Sequence, residues 1–167
     1  VYANASVPAT LALSDTITGI GCIARDTIQN TGSDVIFLSA TGVRSVLRTV
    51  QEKSAPLRDL SKNVRDDLMR AVQGEVLKTI KSVYNPFESF YLITFPVIQQ
   101  VYCFDMKATL QDGAARVTTW DSIRPSSFCF LRNRSMLIGK EGFVGAYKNY
   151  QDNDEAYRFQ YFTNHTD

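Results

Sequence analysis

The sequence predicts a mainly β chain. Antiparallel meanders form part of a β-propeller-like platform, and one amphipathic helix is inserted between them. Three observations lead there. Short apolar runs rich in β-branched and aromatic residues recur between turn-forming clusters. One hairpin pattern occurs twice. A single stretch, Leu60 to Val83, exchanges the two-residue period of a strand for a four-residue one.

The repeated hairpin organises the chain. Asp34-Val35-Ile36-Phe37-Leu38-Ser39-Ala40-Thr41-Gly42-Val43-Arg44-Ser45 reads as a strand, a tight turn and a second strand, with Gly42 able to supply a positive φ at the turn. Arg134 to Tyr147 repeats the order: an apolar triplet (Met136-Leu137-Ile138), a small residue, two variable residues, Gly142, then apolar residues again. On this alignment Gly42 and Gly142 hold equivalent turns, and Phe37 and Leu137 are matching core anchors. Self-similar hairpins in an all-β setting suggest propeller blades, although two unrelated hairpins can share such a pattern.

Taken in order, Val1 to Ser14 has no clear period and reads as irregular or as the tail of a strand. Gly21–Ile28 alternates and reads as an inner strand, followed by the turn cluster Asn30-Thr31-Gly32-Ser33 and the first hairpin. Leu47 to Lys53 continues or runs out of the last strand. From Leu60, apolar residues recur at Val64, Leu68, Val72, Val76 and Ile80, with Ser61 as N-cap, Asp59 beside the helix start and Asn85-Pro86 as the stop. The face opposite this stripe carries Arg65, Asp66 and Arg70, a candidate subunit interface. Strands return at Phe90–Phe95, Val101–Met106, Arg116–Trp120 and Phe128–Leu131, with Trp120 as a further core anchor. The second hairpin follows, then a polar loop at Gln151–Glu155, and Tyr157–Thr163 alternates like the first strand of another blade. The organisation expected is a first blade-like meander over 1–53, a helical insertion over 54–86, a second meander over 87–150 and the start of a further blade over 151–167.

The bulk properties are neutral. With 18 Lys and Arg against 17 Asp and Glu, charge alone implies neither nucleic-acid wrapping nor membrane adhesion. No apolar run approaches the roughly 20 residues of a membrane span. The chain opens on Val1 without an initiator Met and reads as an excerpt of a longer polypeptide. Cys22, Cys103 and Cys129 lie singly within apolar patterns, without the paired spacing of a zinc site, and read as small buried hydrophobes. His165, the one histidine, stands in a polar stretch with no nucleophile and acid around it. Asp66 and Asp67 point about 100° apart on a helix and do not form a shared acid/base site. Asp152-Asn153-Asp154-Glu155 has the composition of a calcium loop but neither its spacing nor its glycine. Arg44, Arg48, Lys53 and Arg58 read as a solvated basic rim. The expectation is therefore a non-enzymatic chain with no catalytic residues, no cofactor and no metal.

The ordered series of motifs resembles the tail nozzle proteins of short-tailed bacteriophages, also called tail tubular protein B or packaged-DNA stabilisation protein. The similarity runs through Val43-Arg44-Ser45 after the glycine turn, Asp59-Leu60-Ser61 before the helix, the pair Tyr91–Phe95 and Val101–Asp105, the strand ending Thr119-Trp120, and Leu137-Ile138-Gly139 with its glycine turn and Tyr147. The resemblance implies a homo-oligomeric ring, a hexamer in that family, joined to a tail adaptor protein in the virion tail. Double-stranded DNA would pass through it without specific binding, and near-neutral charge suits a channel that must not grip phosphates. Two other readings stand beside it: a cellular propeller or β-sandwich adaptor, and a tail-associated glycan hydrolase, which needs two carboxylates flanking a groove.

Overall fold

The computed structural model describes residues 2–4, 6–13, 19–52, 59–120, 123–132, 134–140, 142–148, 151–152 and 155–156. The predicted strand Tyr157–Thr163, His165, Lys53, Arg58 and Asp121 lie outside these residues. The fold is mainly β and antiparallel, as the sequence predicts. Its first piece is a small hairpin, β1 (Tyr2–Ala3) with β2 (Ala12–Leu13), around a 3-10 turn at Pro8–Thr10. Three meander sheets then follow in chain order. The first joins β3 (Gln29–Asn30), β4 (Val35–Ser39) and β5 (Gly42–Ser45). The second joins β6 (Lys81–Asn85), β7 (Phe90–Phe95), β8 (Gln100–Thr109) and β9 (Ala115–Trp120). The third joins β10 (Ser127–Phe130), β11 (Met136–Lys140) and β12 (Phe143–Ala146). A last short pair, β13 (Gln151–Asp152) and β14 (Glu155–Ala156), follows.

The second sheet is the centre of the stack. Every residue of β7 is buried, because both faces of its sheet are covered. Tyr91, Ile93 and Phe95 of β7, with Tyr102 and Phe104 of β8, pack toward Ile36, Leu38 and Val43 of the first sheet. Phe90 and Leu92, with Val101 and Cys103, pack on Met136 and Ile138 of the third sheet. This accounts for the unbroken apolar run Phe90-Tyr91-Leu92-Ile93: a strand covered on one side alternates, whereas one covered on both does not. Each fully buried large side chain contributes roughly 1.5–3 kcal/mol.

The sheets stack with corresponding strands adjacent. Between the first strands of sheets one and two, the Gln29 amide donates to Ser82 O and Oγ, both at 3.1 Å. The first strand of sheet three, β10, lies against β6. At the other edge, Leu60 bridges the last strands: its N–H donates to Val43 O (3.1 Å) and its carbonyl accepts from Ala115 N–H (2.9 Å).

Three expectations are corrected. First, the helix is shorter than predicted. After a 3-10 turn at Lys62–Val64, the predicted helix is α2, Arg65–Gln73, and a shorter helix, α1 (Val46–Glu52), stands where the strand was expected to continue. Gly74 closes α2 by donating to Arg70 O (3.0 Å), and the four-residue spacing that continues to Ile80 is coincidental. Val76 is exposed while Ile80 is buried in the lead into β6. Asn85-Pro86 ends that strand, with Asn85 Oδ1 accepting from the Phe87 and Glu88 amides in the turn. Second, Gly21–Ile28 is not a strand. Cys22 makes an isolated bridge to Ser39, and Arg25–Thr27 is a 3-10 turn. Thr27 explains the turn: its buried hydroxyl donates to Ala24 O (2.6 Å) and accepts from Leu38 N–H (3.1 Å), doing the ladder's work from a side chain.

Third, the two hairpins are not in the same register. Ser39 pairs with Gly42, whereas Lys140 pairs with Phe143 and Gly139 with Val144. Gly42 is thus the first residue of a strand and Gly142 sits in a turn. Their φ values, 134° and 86°, both suit glycine but for different local conformations.

Candidate functional site

Among the described residues, a cluster of polar side chains is buried where the first hairpin meets Asp59–Ser61 before α2. Gly42 has no side chain, and a Cβ there would collide with Ser61 Oγ and lie 3.3 Å from Asp59 Oδ2. That close approach lets Ser61 Oγ accept from Val43 N–H (2.9 Å) while donating to Asp59 Oδ1 (3.0 Å). Asp59 is fully buried. Its Oδ2 accepts from Arg65 Nε (2.9 Å) and from Arg65 Nη2. Arg44, itself buried, brings Nη2 to 3.9 Å of the same oxygen and donates from it to Thr41 Oγ1 (2.8 Å), while its Nε has no hydrogen-bond partner. One carboxylate therefore serves two guanidinium groups. The arrangement fixes the hairpin, the bridge at Leu60 and the first residue of α2 to one another. Chemically it is a clasp: the Ser61 hydroxyl is engaged by Val43 and Asp59, and the Asp59 carboxylate is committed to arginine.

This geometry corrects the reading of several residues. Ser61 caps no helix amide with its side chain. Arg65 turns inward to Asp59, so of the proposed interface trio only Asp66 and Arg70 are exposed, and Arg70 is paired with Asp67. Arg44 belongs to the clasp and not to a solvated rim. Phe37 is buried, but it pairs with Arg44 on the sheet face opposite Ile36, Leu38 and Val43. Leu137 pairs with Cys129 and Ala146 on the outer face of the third sheet and is only half-buried, whereas its neighbours Met136 and Ile138 form the core. Trp120 is half-buried and lies flat against Tyr147, with ring centroids 5.9 Å apart and an interplanar angle of 8°, and edge-on to Phe90.

Two further polar anchors were not legible in the sequence. Glu75, just after Gly74, accepts from Val97 N–H (2.9 Å) and Ile98 N–H (3.3 Å) through Oε2 and from the Thr79 hydroxyl through Oε1. It ties the end of α2 to the β7–β8 turn. Asp34 accepts from Val35 N–H (2.7 Å), Leu47 N–H (2.9 Å) and the Ser45 hydroxyl, joining the first hairpin to α1. A small cavity of about 160 Å³ opens beside it, lined by Thr31, Asp34, Ser45, Leu60, Tyr84 and Met106 among others. Asp26 bonds both Arg25 and Lys81, and these contacts hold its carboxyl down at about 2. Burial pushes the Cys103 thiol up to about 12 and raises the Tyr91 phenol as well. Cys22 and Cys129 are exposed free thiols, contrary to the expectation of buried ones.

Among the described residues no group of three or more His, Cys, Asp or Glu is placed to hold a metal ion. No described helix is long and apolar enough to cross a membrane. No protein-family model, no curated protein and no solved structure matches this chain.

Proposed function

We propose that this chain is a structural component of a phage tail nozzle: part of a propeller-like platform whose identical subunits form a ring around the DNA ejection channel. The observation that carries the proposal is the stacking of three consecutive meander sheets in chain order, first strands beside first strands, with the last strands of the first two sheets tied through Leu60. Propeller blades follow one another in this way, each sheet burying its faces on the sheets before and after it. A second observation supports the family likeness. Val43-Arg44-Ser45 and Asp59-Leu60-Ser61, two of the motifs on which that likeness rests, meet in the buried clasp. Motifs that touch have a shared structural reason to occur together in a sequence.

In this reading the subunits contact one another and a tail adaptor protein, and DNA passes without base or phosphate recognition. Bulk net charge of +1 fits a passive conduit. The test is assembly. Full-length protein added to tail precursors that lack this component should bind as a ring, counted by negative-stain imaging. Protein that stays monomeric on those precursors would remove the nozzle reading.

A further inference from the structure

The two arginines that share Asp59 stand in different surroundings. The Arg44 side chain is 6% exposed, that of Arg65 is 39% exposed, and the carboxylate between them is fully buried. Arg65 holds the carboxylate through two nitrogens, Nε at 2.9 Å and Nη2. Arg44 stands back from it. Its Nη2 is 3.9 Å from Oδ2, and its Nε is sealed from solvent without a hydrogen-bond partner. A buried donor of a charged group is costly to leave unpaired, and water does not reach this one to pair it. The bond has to come from inside the fold, and Asp59 is the carboxylate that stands against this guanidinium.

The difference in burial decides which arginine can leave. Withdrawing Arg65 turns an already half-exposed side chain out into water, where its charge is solvated. A buried carboxylate without a cation is unfavourable, so Asp59 then has reason to turn to Arg44. The turn is small. Moving Oδ2 from 3.9 Å to the ordinary hydrogen-bond distance of about 2.9 Å takes about 1 Å, along an sp³–sp² torsion that is broad in its preferences. The charged neighbours of Arg65 in the chain offer no other counter-ion arrangement, since Lys62 is paired with Asp112 and Asp67 with Arg70.

We propose that Asp59 is an exchangeable counter-ion. An oxyanion arriving on the solvent side of Arg65 draws that guanidinium outward, and Asp59 closes on Arg44, whose Nε gains the partner it lacks. The flat guanidinium fork matches the paired oxygens of a carboxylate or a phosphate. The hairpin stays fastened meanwhile, because the Val43 N–H still donates to Ser61 Oγ and Leu60 still bridges the two sheets. Only the start of α2 is let go. The exchange lies within one chain and stands apart from the ring reading.

The test follows the arginine Nε–Hε signals of the ¹⁵N-labelled 167-residue chain, assigned by their loss in Arg44→Met and Arg65→Met. Sodium phosphate and sodium acetate are titrated separately, at constant ionic strength against sodium chloride, to tell a phosphate from a carboxylate site. The Arg65 signal should shift, and the Arg44 signal should move downfield with the same midpoint. In Arg65→Met the Arg44 signal should lie downfield with no oxyanion added, and its exchange with water should slow. Urea denaturation supplies a ligand-free measure. Arg44→Met and Arg65→Met should each lower the midpoint less than Asp59→Asn does. The double variant should lose more than the two single losses added, because it alone leaves Asp59 without a cation. An Arg65→Met variant as damaged as Asp59→Asn, with the Arg44 signal unmoved, would overturn the exchange. So would an Arg65 signal that answers the oxyanions while Arg44 stays put, or one that answers neither.

Discussion

The clasp at Asp59 shows how much one residue can depend on another's lack of a side chain. Gly42→Ala places a methyl group against Ser61 and Asp59 at a φ of 134°, so strain and collision act together. A loss of at least about 2 kcal/mol is expected in urea denaturation. Gly142→Ala meets open space at φ 86° and should cost only about 1 kcal/mol, the left-handed penalty alone. Asp59→Asn leaves two guanidinium groups without their shared carboxylate, and breaking a buried pair from one side costs about 3–5 kcal/mol. Arg44→Met removes the more distant of the two cations, at 3.9 Å, and leaves Arg65 on the carboxylate, so it is expected to cost less than Asp59→Asn. Thiol chemistry separates the cysteines. Cys22 and Cys129 should react rapidly with Ellman's reagent at pH 8, and Cys103 only after unfolding. The same burial sets a pH limit. Cys103 keeps its proton in the folded chain to about 12 and loses it near 9 when unfolded. Its contribution is therefore full below pH 9 and falls as pH rises, by on the order of 1 kcal/mol at pH 10.

At the scale of elements, the strands from Phe90 to Trp120 were legible because each is an apolar or alternating run bounded by Pro96, Asp112-Gly113 or a similar stop. The helix was legible as a type but not in extent. Spacing alone could not say that Val72, Val76 and Ile80 belong to a helix end, an exposed turn and a strand approach. The deciding residues were Gly74 and Glu75, and Glu75 acts on amides 22 and 23 positions away. Thr27 misled in the same manner, since its partner Leu38 lies 11 residues on. The clasp was missed for this reason too. Arg44 reads as part of a solvated rim, Asp59 as a partner of the helix dipole and Arg65 as part of a candidate interface, and only the fold brings them together. Glu75→Ala should leave α2 in place but expose the Val97 and Ile98 amides, accelerating their hydrogen exchange before that of β7 or β8. Unchanged protection at those two amides would show that the carboxylate is not what holds the turn.

For the whole molecule, the decisive feature is that the second sheet has two cores, one on each face. Leu92 and Ile93 are neighbours in sequence, yet one faces the third sheet and the other the first. Leu92→Ala and Ile93→Ala should each cost about 2–5 kcal/mol. Because their side chains share no partners, the double variant should be additive to within about 0.5 kcal/mol. A larger coupling would mean that the sheet transmits strain between its faces. The two-faced burial also sets an order of events during synthesis. Tyr91-Leu92-Ile93-Thr94-Phe95 is uncharged, strongly β-forming and free of proline, the composition of an aggregation-prone window. A ribosome delivers the first sheet before it and the third sheet after it. Until Met136 and Ile138 emerge, Phe90, Leu92 and Val101 lack the third sheet as cover on their side. A chain halted after Trp120 is thus expected to pellet more readily than the 167-residue chain in a sedimentation assay, because the third sheet shields the second.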